Sequence, residues 1–64
     1  MEGTVREFDE GTGLGVIATP DGGVFPFQCI EIADGTRTID SGQAVSFRPL
    51  PRFGAFQAGA IEKR

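Results

Sequence analysis

The combination in this chain that reads most directly as chemistry is aromatic rings set among arginines. Arg48 and Arg52 stand close in sequence to Phe53 and Phe56, in the run Pro51-Arg52-Phe53-Gly54-Ala55-Phe56. Rings stack on bases and guanidinium groups pair with phosphates, which is how platforms for single strands are built. The competing reading is that one of the two rings caps the end of the hydrophobic core. Arg6 offers another cation, although Glu7, Asp9 and Glu10 beside it would repel a phosphate. Gly11-Thr12-Gly13-Leu14-Gly15 has the look of a phosphate loop, but a dinucleotide fingerprint needs a strand before it and a helix after it. Here a strand follows, so the glycines suit a tight turn and a close backbone approach. Asp9 and Glu10 could exchange protons with a substrate only inside a pocket, and a solvated turn is the expectation for them. No catalytic residue is expected, and the chain does not read as an enzyme.

What is missing narrows the chemistry further. There is no His, Trp or Tyr among the 64 residues. Histidine-based general bases, Ser-His-Asp triads and His-ligated zinc are therefore excluded. The single cysteine, Cys29, excludes an intrachain disulfide and a Cys-rich metal site. No metal, cofactor or small-molecule substrate is expected. The net charge is −3, so there is no bulk attraction to nucleic acid. The charge is unevenly placed: residues 1–47 carry −6 and residues 48–64 carry +3. An anionic partner would meet the C-terminal quarter, unless Lys63 and Arg64 are simply a solvated tail. No signal-peptide pattern and no run of about 20 apolar residues appears, so neither secretion nor a membrane is expected. A lone thiol fits a reducing compartment, and the cytoplasm is the expected location.

These residues must be positioned by something small. A chain of this length builds one domain, here residues 1–64, with its core alone to hold it. The ten glycines and four prolines are more than a helical bundle tolerates. Short apolar segments alternate with Gly, Asp and Pro, the mark of a small all-β domain. Five strands are predicted, over Gly3–Phe8, Leu14–Thr19, Val24–Gln28, Gln43–Leu50 and Phe56–Ile61, with Pro20-Asp21-Gly22-Gly23 as the turn before the third. Cys29–Ile32 could make one helical turn, and Asp34-Gly35-Thr36 reads as an exposed loop. Alternation puts Gly15 and Ile17 on one face of the second strand and Leu14 and Val16 on the other. In the third strand it sets Phe25 and Phe27 against Val24, Pro26 and Gln28. Val5, Ile17, Phe25, Phe27, Ile32, Ile39, Val45, Phe47 and Ile61 are expected to fill the core, enough for one small barrel. Pro49 cannot donate to a ladder, so the fourth strand should end at an edge or a bend.

The spacing resembles the bacterial cold-shock domain from Gly3 to about Ile61. The matching pieces are Gly3-Thr4-Val5-Arg6-Glu7-Phe8-Asp9, Gly13-Leu14-Gly15-Val16-Ile17, Asp21-Gly22-Gly23 and Phe25-Pro26-Phe27-Gln28 with Ile32. Thr38-Ile39-Asp40-Ser41-Gly42-Gln43-Ala44-Val45-Ser46-Phe47 and Gln57-Ala58 with Ile61 complete the match. The resemblance implies a five-stranded antiparallel OB-fold barrel. It also implies that single-stranded DNA or RNA lies across aromatics on the second and third strands. The family motifs there read approximately Lys-Gly-Phe-Gly-Phe-Ile and Val-Phe-Val-His-Phe.

This chain departs from them on that surface. Thr12, Leu14 and Val16 replace the lysine and both aromatics of the first motif. In the ungapped alignment Pro26, Gln28 and Cys29 replace Phe, His and Phe of the second. Glu7 stands in place of a tryptophan and Thr36 in place of a loop phenylalanine, leaving Phe8 as the retained ring. A one-residue shift of the third strand would instead present Phe25 and Phe27, because a slip of one exchanges the faces. The ungapped register needs no insertion and keeps Ile32 at an apolar position. Base–aromatic stacking is worth about 1–3 kcal/mol per base, so losing several rings weakens binding on the order of a thousandfold.

The resulting expectation is a weak, salt-sensitive, non-catalytic binder of single-stranded nucleic acid. Its contacts would be Arg6, Phe8, Leu14, Val16, Pro26, Gln28, Arg52, Phe53 and Phe56. The alternative is an OB-fold module whose aliphatic face now meets a protein partner.

Overall fold

The computed structural model describes residues 1–52 and 54–64. Five strands are present: β1 Glu2–Asp9, β2 Leu14–Ala18, β3 Val24–Gln28, β4 Ala44–Arg52 and β5 Ala55–Lys63. A single 3₁₀ turn, Cys29–Glu31, follows β3. All pairings are antiparallel, in the order β3-β2-β1-β4-β5. Among the described residues, no helix is long and apolar enough to cross a membrane.

Strand β1 serves two partners. Its first residues pair with β4, as in Gly3↔Val45, and from Thr4 onward it pairs with β2. The change of partner needs a strongly coiled strand. A bulge supplies the extra twist, since the register shifts between Val5 and Glu7 and Arg6 is the added residue. Past the bulge Phe8 pairs with Gly15 and shares its inner face.

The sheet curls around one core. Its smallest dimension is 17 Å, more than the about 10 Å that separates two stacked sheets. Val5, Ile17, Phe27, Ile32, Ile39, Val45, Phe47, Ala58 and Ile61 are buried inside. Each large one gains about 1.5–3 kcal/mol by leaving water. Phe25, expected in that set, is half-buried at the rim, its ring tilted against Phe47 at 5.0 Å. Ala58, not expected there, is fully inside. Both phenylalanines of β3 turn inward, as the ungapped register requires.

The hydrogen-bonded ladders form an open five-stranded sheet. Strands β3 and β5 come into contact, but no ladder joins them among the described residues. Part of the reason is Pro26. Cys29 N–H donates to Gly13 O at 2.7 Å, and Gly23 O accepts from Thr19 at 2.9 Å. Odd-numbered residues of β3 therefore address β2, and Val24, Pro26 and Gln28 address the outer edge. Pro26 has no proton to give there. What ties the two ends together is the segment after the 3₁₀ turn: Ile32 bridges Ile61, and Ala33 N–H donates to Ile61 O at 2.7 Å.

Prolines also mark the free stretch of β4. Phe47 exchanges two 2.8 Å hydrogen bonds with Met1, so its N–H and C=O point to the β1 side. Pro49 and Pro51 follow at the same parity, where β1 no longer reaches. That edge carries no donor at either position, which blunts it against a stray strand. The edge expected at Pro49 is thus observed.

Candidate nucleic-acid interface

The outer face of β2 and β3 is built by direct cross-strand pairs. Leu14 lies opposite Gln28, Val16 opposite Pro26 and Ala18 opposite Val24. On the other side of β2, Val16 pairs with Glu7 and Leu14 with Asp9. The resulting surface is a strip of aliphatic side chains with carboxylates along its β1 border. Leu14 and Val24 are each 53% exposed, Pro26 and Gln28 are exposed, and Val16 is half-buried. A shallow cleft runs over this surface between Glu7, Phe8, Asp9, Leu14, Val16 and Pro26.

The turn before β2 holds the strip in place. Asp9 Oδ1 accepts from Gly11 N–H at 2.8 Å and more weakly from Thr12 N–H at 3.4 Å. Gly13 N–H donates to Asp9 O at 2.8 Å, and Gly13 adopts φ +73°, a left-handed conformation open to glycine. At Gly15 the need is for room. A Cβ there would sit 2.7 Å from a carbon of the Phe27 ring and 2.8 Å from the Glu7 carbonyl oxygen. Both glycines thus serve the turn and the close approach, as the strand that follows them implied.

The other end of the strip is set by the β2–β3 turn. Thr19, buried although polar, donates its hydroxyl to the Asp21 carboxylate. Gly23 N–H in turn donates to Thr19 Oγ1 at 3.0 Å. The Thr19 hydroxyl, followed by the Gly23 amide, holds the Asp21 carboxyl below its ordinary range.

The predicted contacts divide into groups. Leu14, Val16, Pro26 and Gln28 share the outer face. Phe8 borders the same cleft but faces inward, with its ring stacked on Phe27 at 5.9 Å and 5°. Arg6 is exposed at the bulge and makes no ion pair among the described residues. Arg52 and Phe56 lie at the far end of the β4–β5 hairpin, where Arg52 pairs with Ala55 and Phe56 with Pro51. Phe56 is 57% exposed, so its ring does not cap the core. Phe53 lies outside the described residues. Thr36, in place of a loop phenylalanine, has its hydroxyl tied up: it donates to Asp34 Oδ1 at 2.8 Å and accepts from Lys63 Nζ at 3.1 Å.

Two features were not anticipated from the sequence. Ala18 and Val24 extend the aliphatic strip toward the β2–β3 turn. Alternation alone puts Val24 on the outer face; what the structure adds is its pairing with Ala18. Gln57 of β5 joins Leu14, Pro26 and Gln28 around a second, smaller cleft at the β3–β5 seam. That approach is long-range and has no local sequence signal.

No protein-family model matches the chain, and no curated protein matches it either.

Proposed function

We propose that this chain is a cold-shock-like OB barrel that holds single-stranded nucleic acid, RNA or DNA, against the outer face of β2 and β3. One observation carries the reading. The pairs Leu14↔Gln28 and Val16↔Pro26 gather on one face the four residues that the cold-shock resemblance would set against bases. The curled five-stranded sheet, with β1 shared between β2 and β4, supports the OB assignment. The face offers apolar contact to bases without rings of its own, so binding is weak and passive: strands are kept unpaired and nothing is cleaved. Arg6, Arg52 and Phe56 supply charge and one further exposed ring at the margins. Phe8 borders the cleft with its ring stacked on Phe27. The free thiol of Cys29 suits a reducing compartment such as the cytoplasm.

Fluorescence anisotropy with an unstructured, labelled oligonucleotide at low salt tests this. Binding in the high-micromolar to millimolar range is expected, weakened by added salt and abolished by Val16→Glu. Oligonucleotide binding indifferent to Val16→Glu would show that this face is not the site.

A second reading has its own observation. Glu7 and Asp9 pair directly with Val16 and Leu14, so these two aliphatic residues each have a carboxylate neighbour. Aliphatic strips edged with acid fit a basic, apolar protein surface as well as a base. A protein partner that is retained after nuclease treatment and lost in Val16→Glu would favour this reading over nucleic acid.

A further inference from the structure

We propose that Gln28 and Gln57 form a pair of base-reading carboxamides at the β3–β5 seam, and that the base they select is adenine. The inference rests on the nucleic-acid reading above and adds the base that the site prefers. Gln28 lies opposite Leu14, so its side chain leaves the outer face next to the exposed leucine. Gln57 arrives from β5, half-buried, and lines the same cleft, whose other walls include Leu14, Pro26 and Phe27. Among the described residues, neither carboxamide has a hydrogen-bond partner within the chain. The third glutamine, Gln43, behaves differently: its Nε2 donates to the carbonyls of Ala44 and Arg64 at 2.9 and 3.2 Å. The two residues with free amides therefore line one cleft, where apolar walls leave room for a flat ligand.

A carboxamide presents a donor and an acceptor side by side. Adenine presents the complement, an exocyclic amino group next to a ring-nitrogen acceptor, which glutamine engages through two hydrogen bonds. In a single strand the base edges are open to such contacts. A base laid on Leu14 and Pro26 turns its edge toward the seam, where both glutamines stand. Recognition by uncharged amides also suits a face whose border is acidic, since it asks for no phosphate contact.

The test compares two hexanucleotides of equal length and charge. One carries adenine throughout; the other carries purine, which lacks the amino group and keeps the stacking surface. Each is titrated into the wild-type chain, Gln28→Met and Gln57→Met, with thermal melting of each variant to confirm folding. The wild type is expected to bind the adenine oligomer about tenfold more tightly, the low end for a bidentate contact in an open site. In either variant that ratio falls toward one, because the adenine oligomer loses two hydrogen bonds and the purine oligomer, which keeps only the ring-nitrogen acceptor, loses one. Because Gln28 is exposed, its variant keeps the test decisive even if Gln57→Met unfolds. Equal affinity of the wild type for both oligomers overturns the base-reading role and leaves the nucleic-acid reading standing, as does a preference surviving both substitutions. Failure of both oligomers to bind at millimolar concentration overturns both readings together.

Discussion

The ring of Phe8 lies parallel to that of Phe27, 5.9 Å away, in register with Gly15 beneath them. The bulge at Arg6 makes this contact, because without it Phe8 would fall on the outer face. The stack closes the core behind the candidate surface and takes one side of the Phe8 ring out of use. The surface in front is then left to aliphatic residues and glutamine.

Gly15→Ala should break that arrangement. The added Cβ meets the Phe27 ring and the Glu7 carbonyl oxygen, and the backbone partner cannot rotate away. A destabilisation of about 1–3 kcal/mol is expected, typical of overpacking. Urea unfolding followed by circular dichroism measures it. An unchanged midpoint would mean that the rings are not held against this glycine.

Ala60→Gly should act in the opposite direction. Ala60 has φ +50°, at the point where the β4–β5 register shifts. A left-handed residue other than glycine costs about 1–2 kcal/mol. Glycine's greater freedom in the unfolded chain returns about 0.4–1 kcal/mol of that. The net gain is about 0.5–1 kcal/mol, or several degrees in Tm for a domain of this size. Its backbone N–H would still donate to Glu31 Oε1, so the 3.2 Å contact survives the change. A lower Tm by calorimetry would contradict the strain assigned here.

The Asp34 carboxyl ties the loop after the 3₁₀ turn to β5. It accepts from the Thr36 backbone N–H at 3.0 Å and from the Thr36 hydroxyl, and it meets Lys63 Nζ at 3.1 Å. The Thr36 amide first, then its hydroxyl, then Lys63 lower its pKa from 3.8 to about 2. A depressed carboxyl stabilises the fold above its ordinary pKa, and that contribution disappears as pH falls from about 4 toward 2. Carbon-detected NMR should give an Asp34 midpoint near 2 and a higher one in Thr36→Ala. A midpoint near 4 in the wild type would remove the latch.

Restoring donors to the open stretch of β4 should promote association. Pro49→Val with Pro51→Val returns two N–H groups to an edge that β1 leaves free, beside an exposed Phe56. Sedimentation velocity at rising concentration should show more self-association than the wild type. Identical sedimentation of the two would mean the edge is protected by something other than proline.

The fold was largely legible because its determinants are local. Alternation and turn residues located all five strands within two residues at every end, and Val24–Gln28 without error. Cys29 to Glu31 did form its helical turn. Errors arose where the pleat is interrupted or the contact is distant. Bulging at Arg6 and at Ala60 resets which residues face in, and alanine at position 58 carries too weak a signal to be read as core. Closure into a barrel was the expectation, yet among the described residues no ladder crosses the β3–β5 seam, where Pro26 cannot donate. The face holding Leu14, Val16, Pro26 and Gln28 followed from strand period together with the ungapped register of the resemblance; Gln57 beside it depends on how the sheet curls.

A titration followed by ¹H–¹⁵N NMR probes the central claim at residue level, using an unstructured hexanucleotide at low salt with uniformly labelled protein. The account predicts shifts concentrated at Leu14, Val16 and Gln28 and in the Gln57 side-chain amide, with little change along β4 from Ala44 to Phe47. Shifts confined to Arg48, Arg52, Lys63 and Arg64, or none at millimolar oligonucleotide, would contradict it.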